Sequence, residues 1–191
     1  MQLEVRHLTA DLTELELRET DGKKKISGYA ARFGVLSENL GGFREKIRAG
    51  AFTRSINDAA DVIANLDHST RAQDLLGRTS TGTLTLKPNQ KGLWFEVDPP
   101  DTQAARDVQA ILSRPNELKM SFAFVVPEGG DRWEQIDGLT VRELVDVDLH
   151  DIAIVVRPAY QQTEVALRSM NAWKTRNLEP YFRQKWAELK A

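Results

Sequence analysis

The chain has 191 residues, 41% of them apolar and 28% charged, with a formal net charge of -2; this suits one globular domain with an appendage and offers no bulk charge for nucleic acid or an anionic membrane. With no cysteine and only three histidines, disulfides, a thiol nucleophile and thiolate metal sites are excluded, and no His-x-x-x-His pair offers a zinc site. The sequence has no apolar run near the ~20 residues of a membrane helix, no signal-peptide core, no phosphate-binding glycine loop and no Gly-x-Ser-x-Gly elbow. The expectation is a soluble cytoplasmic protein with no cofactor, no metal and no direct contact with nucleic acid or membrane.

Residues 3–7 and 12–18 read as strands, followed by the Asp21-Gly22 turn and a second arm over 25–33. A short strand is expected at 43–47 and a helix over 51–60, where Phe52, Ile56 and Ala59/Ala60 fall at helical spacing. The apolar strand 62–66 runs straight into Asp67-His68-Ser69. Strands follow at 79–86 and 92–97, then the clearest helix, 102–112, stopped by Pro115. Residues 118–126 form a strand, 133–136 and 139–144 a hairpin around Asp137-Gly138, and 145–156 a long strand closed by Pro158. Strands interrupted by two helices predict a mainly β fold, a strongly curved sheet or barrel with peripheral helices. From Ser169 the composition turns polar and helix-prone, with Trp173, Tyr181, Phe182 and Trp186 split by Pro180. The expected division is a domain over 1–168 and a C-terminal tail over 169–191, helical or partly disordered.

Three places set a reactive side chain in an unusual context. His68 stands where an apolar strand turns into the polar stretch 69–74. A strand end can hold a general base rigidly at a cleft; a solvated turn histidine has the same appearance. Ser121 lies in Leu118-Lys119-Met120-Ser121-Phe122-Ala123-Phe124. Alternation puts Leu118, Met120, Phe122, Phe124 and Val126 on a core face, and Lys119, Ser121, Ala123 and Val125 on the other. There an extended polypeptide can lie close to Ser121, which is either a nucleophile with a neighbouring base or an ordinary small residue on a sheet surface.

The third place is 145–156. Strict alternation gives one face Val145, Val147, Leu149, Asp151, Ala153 and Val155, and the other Asp146, Asp148, His150, Ile152, Ile154 and Val156. Asp151 is then the single polar residue on an apolar face, which is costly unless it is paired. A histidine ring N–H is one partner, and that contact would fix the tautomer; Arg32, Arg157 or backbone amides are others. Adjacent residues point to opposite faces, so only one of His150 and Asp151 should reach His68.

Gly28-Tyr29-Ala30, Phe33, Phe43-Arg44-Glu45-Lys46-Ile47 and Gly50-Ala51-Phe52 come in an order that resembles the opening of the prohead (capsid maturation) serine protease family of tailed bacteriophages. The match continues through Asn65-Leu66-Asp67-His68, Leu76-Gly77-Arg78, Gly92-Leu93 and Lys119-Met120-Ser121-Phe122-Ala123-Phe124, then Leu149-His150-Asp151-Ile152-Ala153-Ile154-Val155 and Pro158-Ala159-Tyr160. It spans about 28–167. Each motif is short; their number, order and spacing carry the resemblance.

The resemblance implies a serine endopeptidase related in fold to herpesvirus assemblin, a β-barrel surrounded by helices. It implies Ser121 as nucleophile, His68 as base and an acid at Asp151, where family members often carry Glu. Assemblins use a second histidine as third member, which keeps His150 as the alternative. Such enzymes act inside the immature capsid in the host cytoplasm. They cleave the scaffold, or the scaffolding segment of the major capsid protein, and often themselves; by analogy with assemblin a homodimer is expected. The oxyanion donors are not readable, and a backbone N–H near Arg157 is suggested by position alone.

Two rivals are carried. A non-catalytic capsid-assembly or scaffold-binding module on the same fold predicts that Ser121 and His68 lie apart, or that Ser121 is covered. A hydrolase using Asp148 and Asp151 is disfavoured by strict alternation, which sets residues three apart on opposite faces.

Overall fold

The computed structural model describes residues 3–8, 10–20, 22–114, 116–156, 164–177 and 185. The chain begins with β1 (Glu4–Leu8), the one-turn helix α1 (Ala10–Thr13), β2 (Glu16–Thr20), β3 (Lys23–Arg32), β4 (Arg44–Ile47) and α2 (Thr53–Asn57). Next come β5 (Ile63–Leu66), β6 (Leu75–Arg78), β7 (Leu84–Pro88), β8 (Gly92–Val97) and α3 (Gln103–Leu112). The rest is β9 (Lys119–Val125), the hairpin of β10 (Asp131–Ile136) and β11 (Leu139–Leu144), β12 (Asp148–Val155) and α4 (Glu164–Asn177).

The fold is mainly β with helices outside, as the run of strands implies. The barrel is a correction: the described strands form three sheets, ordered β1-β9-β12-β5-β6, β10-β11-β4 and β2-β3-β8-β7, and none closes on itself. They pack through side chains instead. Phe52, Phe122 and Phe124 stack edge and face at ring separations of 5.8 and 5.2 Å, in one core with Ile26, Leu93, Phe95, Val97, Leu149 and Ile152.

Several boundaries differ from the sequence reading for local reasons. The helix expected over 51–60 shrinks to α2, because Ala59 adopts a left-handed φ of 53° that no α-helix continues. Helix α3 starts where expected, with Thr102 Oγ1 accepting from the Ala105 amide at 3.3 Å. Residues 79–81 form a 3-10 turn rather than the start of a strand. Strand β6 has no alternation to reveal it; it exists because Gly77 allows close approach, a Cβ there falling 2.6 Å from Val97 Cγ2. Residues 145–147 precede β12 as a connection, the Val145 and Asp146 amides both donating to the Gly130 carbonyl.

A buried ionic cluster fixes β1. Arg142, 1% exposed, donates to both carboxylate oxygens of Glu4 and to Glu45 and Asp131. Arg6 donates to Glu45 at 2.7 Å and to Glu4 at 2.7 Å. Two guanidiniums among three carboxylates make burial tolerable, since each charge keeps charge-assisted bonds. Burial opposes ionisation of Glu4, but Arg142 and Arg6 outweigh it and hold its carboxyl below the usual range. Burial likewise opposes the charge on Arg142, and its carboxylates raise its pKa in spite of it. Asp131 also accepts from Trp133 Nε1 and Ser169 Oγ, which ties α4 to the same cluster.

Candidate active site

Strand β9, between β1 and β12 in the five-stranded sheet, alternates as its sequence requires. Leu118, Met120, Phe122 and Phe124 enter the core and Val126 packs against it, which turns Ser121 and Ala123 to the opposite face. Three strands then converge on Ser121. On one side β1 pairs antiparallel with His7 opposite Ser121; on the other, β12 places Ala153 opposite it.

His68 reaches this face through a strained turn. Asp67 and His68 follow the end of β5 with φ of 49° and 56°, and the Ser69 amide donates to the Leu66 carbonyl at 2.9 Å. Two left-handed central residues are the pattern of a type I′ turn, a conformation that Asp and His tolerate better than most side chains. The Asp67 amide donates to the Ile154 carbonyl at 3.1 Å and clamps the turn to β12. Beyond it, Ser69 Oγ and Arg71 Nε donate to Asp74 at 2.6 and 2.8 Å. The Ser69 bond, with Arg71 beside it, keeps the Asp74 carboxyl below the usual range.

Asp151 owes its place to a bulge that strict alternation cannot show. Leu149 pairs with Phe124 and Asp151 with Ala123, so His150 is the extra residue. The bulge reverses the phase: Leu149 joins Ile152 and Ile154 in the core, and Asp151 moves to the face of Ala153 and Ser121. The expected apolar face bearing Asp151 and Leu149 together is therefore corrected. So is the argument against Asp148 with Asp151, because the bulge sets both on one face. What separates them is their partners: Asp148 and Asp146 accept from Arg54 at 2.6 and 2.8 Å.

The result is a continuous relay. Asp151 Oδ1 lies 2.5 Å from His68 Nδ1, and His68 Nε2 lies 2.5 Å from Ser121 Oγ. His150 is exposed at the bulge, so Asp151 is the residue brought to the ring. Arg32 bonds Glu14 instead, and Arg157 with Pro158-Ala159-Tyr160 lies outside the described residues. Asp151 and His68 are 17% and 21% exposed, while Ser121 is 0% exposed. With Nδ1–H directed at the carboxylate, Nε2 carries the lone pair and faces the hydroxyl, the arrangement needed to withdraw its proton. The Ser121 hydroxyl has a second acceptor, the Arg6 main-chain carbonyl at 3.0 Å. A main-chain oxygen from a strand 115 residues away in sequence leaves no residue-type signal, and the sequence reading missed it. Among the described residues no cluster of three or more His, Asp or Glu side chains is arranged to hold a metal ion, and no helix is long and apolar enough to cross a membrane.

No curated protein matches the sequence. A solved structure, the capsid assembly protease of bacteriophage T4, is similar in fold with a TM-score of 0.53 and 9% identity, covering 82% of this chain and 98% of that one. The description "caudovirus prohead serine protease" belongs to a family that matches residues 13–176. That stretch holds β2 to β12 with the relay entire, and the chain belongs to the caudovirus prohead serine protease family.

Proposed function

We propose that the chain is a serine endopeptidase of phage prohead maturation, with Ser121 as nucleophile, His68 as general base and Asp151 as the group that orients the base. The observation that carries the reading is the Asp151–His68–Ser121 relay, 2.5 Å at each link. His68 Nε2 takes the hydroxyl proton as Oγ bonds the scissile carbonyl carbon. The imidazolium, stabilised by Asp151, returns the proton to the leaving amine. Water then attacks the acyl-enzyme with His68 again as base.

Family membership supports the substrates: a scaffold or the scaffolding segment of the major capsid protein, and the protease chain itself, cleaved inside the prohead. An extended substrate strand is the natural form at a site built on a sheet. A homodimer is part of this reading by analogy with assemblin. One observation favours a second reading, a non-catalytic scaffold-binding module: Ser121 is wholly buried, so attack requires its cover to open.

Co-expression with the capsid or scaffold protein, wild type beside Ser121→Ala, separates the two by intact mass. Fragments present with wild type and absent with Ser121→Ala support the protease. Unprocessed chains in both, with assembly normal, favour the binding module, and fragments that persist with Ser121→Ala exclude Ser121 as nucleophile.

A further inference from the structure

Attack by Ser121 requires that a substrate reach a hydroxyl with no exposed surface, and the residues around it say from where. On its own face of the sheet Ser121 is bordered by Lys119 and Ala123 along β9, Ala153 on β12 and His7 on β1. Ala123 and Ala153 are 0% exposed. His68 occupies the β12 side through its bond to Oγ. His7 and Lys119 keep partial exposure, so the approach not taken up by the base passes over them. Directly opposed antiparallel residues share a face with Cβ atoms about 5 Å apart, which places the His7 side chain beside the nucleophile.

We propose that His7 is a substrate-contacting, specificity-determining residue, seated across Ser121 from His68. This rests on the protease reading. His7 stands between two anchored neighbours: Arg6 is locked to Glu4 and Glu45, and Leu8 belongs to the core. A side chain on so constrained a strand is preorganised to meet a substrate residue flanking the scissile bond. The family match begins at residue 13, after β1, so the strand that completes this wall lies ahead of the matched stretch.

The test uses the full chain, His7→Ala and His7→Gln, with two probes. A small alkyl fluorophosphonate measures Ser121 reactivity, a proteome-derived peptide library read by mass spectrometry gives the residues preferred beside the scissile bond, and titration of the best peptides one at a time gives KM. Labelling of Ser121 should stay within about threefold of wild type, while KM for the best peptides rises at least about tenfold and the preference changes, the scale of one lost pocket contact. Unchanged preference with KM within about twofold overturns the proposal. If the variants fail to fold, the wild type decides: a peptidyl phosphonate on Ser121 should protect His7 from diethyl pyrocarbonate and leave His150 reactive. Equal modification of His7 with and without the phosphonate overturns the proposal. A wild type that neither labels at Ser121 nor cleaves the library overturns the protease reading itself, and this inference with it.

Discussion

Replacing Asp151 tests the relay at the link that the bulge creates. In Asp151→Asn the amide keeps the shape of the carboxylate, but its NH2 favours an unprotonated His68 Nδ1. The ring proton then moves to Nε2 and points at Ser121, so the ring is no longer a base. In a Ser-His-Asp triad this change costs about 10^4 in kcat, or about 5.5 kcal/mol of transition-state stabilisation. Asp151→Glu probes distance instead. The Nδ1–Oδ1 separation is already 2.5 Å, so there is no slack for a further C–C bond of about 1.5 Å. The imidazole must shift by about 1 Å, which costs about 10^2 in rate. Inactivation by a fluorophosphonate measures both without knowledge of the natural substrate. The expected order is wild type, then Glu, then Asn. Losses below tenfold in Asp151→Asn, with unfolding midpoint unchanged, would refute the role of Asp151.

Arg142→Leu leaves Glu4 and Glu45 buried with Arg6 as their remaining cation; the loss should be about 3–5 kcal/mol, a fall of about 6–20 °C in Tm for a chain of this size. A calorimetric shift under 3 °C would contradict the cluster's importance. Glu4 gives the pH dependence. Its carboxyl pKa is held in the fold below its ordinary value of 4.5 by Arg142 and Arg6, against burial, so its stabilisation is complete above 4.5 and is lost as pH falls through the lower folded value. Urea unfolding of wild type and Glu4→Gln should therefore differ by a constant amount above pH 5 and converge in more acidic buffer; a pH-independent difference would sink the assignment. Asp67→Val puts a β-branched residue at a φ of 49°, which should cost about 1–3 kcal/mol and slow Ser121 labelling by displacing His68. Equal labelling would mean that the turn does not position the base.

What was legible in the sequence was local. The Met-Ser-Phe strand alternates without interruption, and its core face is so apolar that the orientation of Ser121 follows from spacing alone. The lone acid at Asp151 stands out by the same rule, although the rule wrongly sets Leu149 on its face. One unpaired residue at His150 reverses every side chain beyond it, and a bulge has no residue-type signature here, with neither Gly nor Pro at the position.

What was not legible was pairing. Strand β4 lies parallel to β11 across about a hundred residues, and β1 lies on β9 across a similar distance; periodicity within each strand says nothing of the neighbour. The Arg6 carbonyl beside Ser121 and the position of His7 both depend on that second pairing. The expected barrel fails for the same reason, since closure depends on which edges meet.

The most direct measurement is the site of covalent modification. Wild-type protein treated with a fluorophosphonate, then mapped by peptide mass spectrometry, should carry a single adduct on Ser121, and His68→Ala should lose it while remaining folded. An adduct on another serine, or labelling of His68→Ala as fast as wild type, would contradict the assignment of Ser121 and His68 as nucleophile and base.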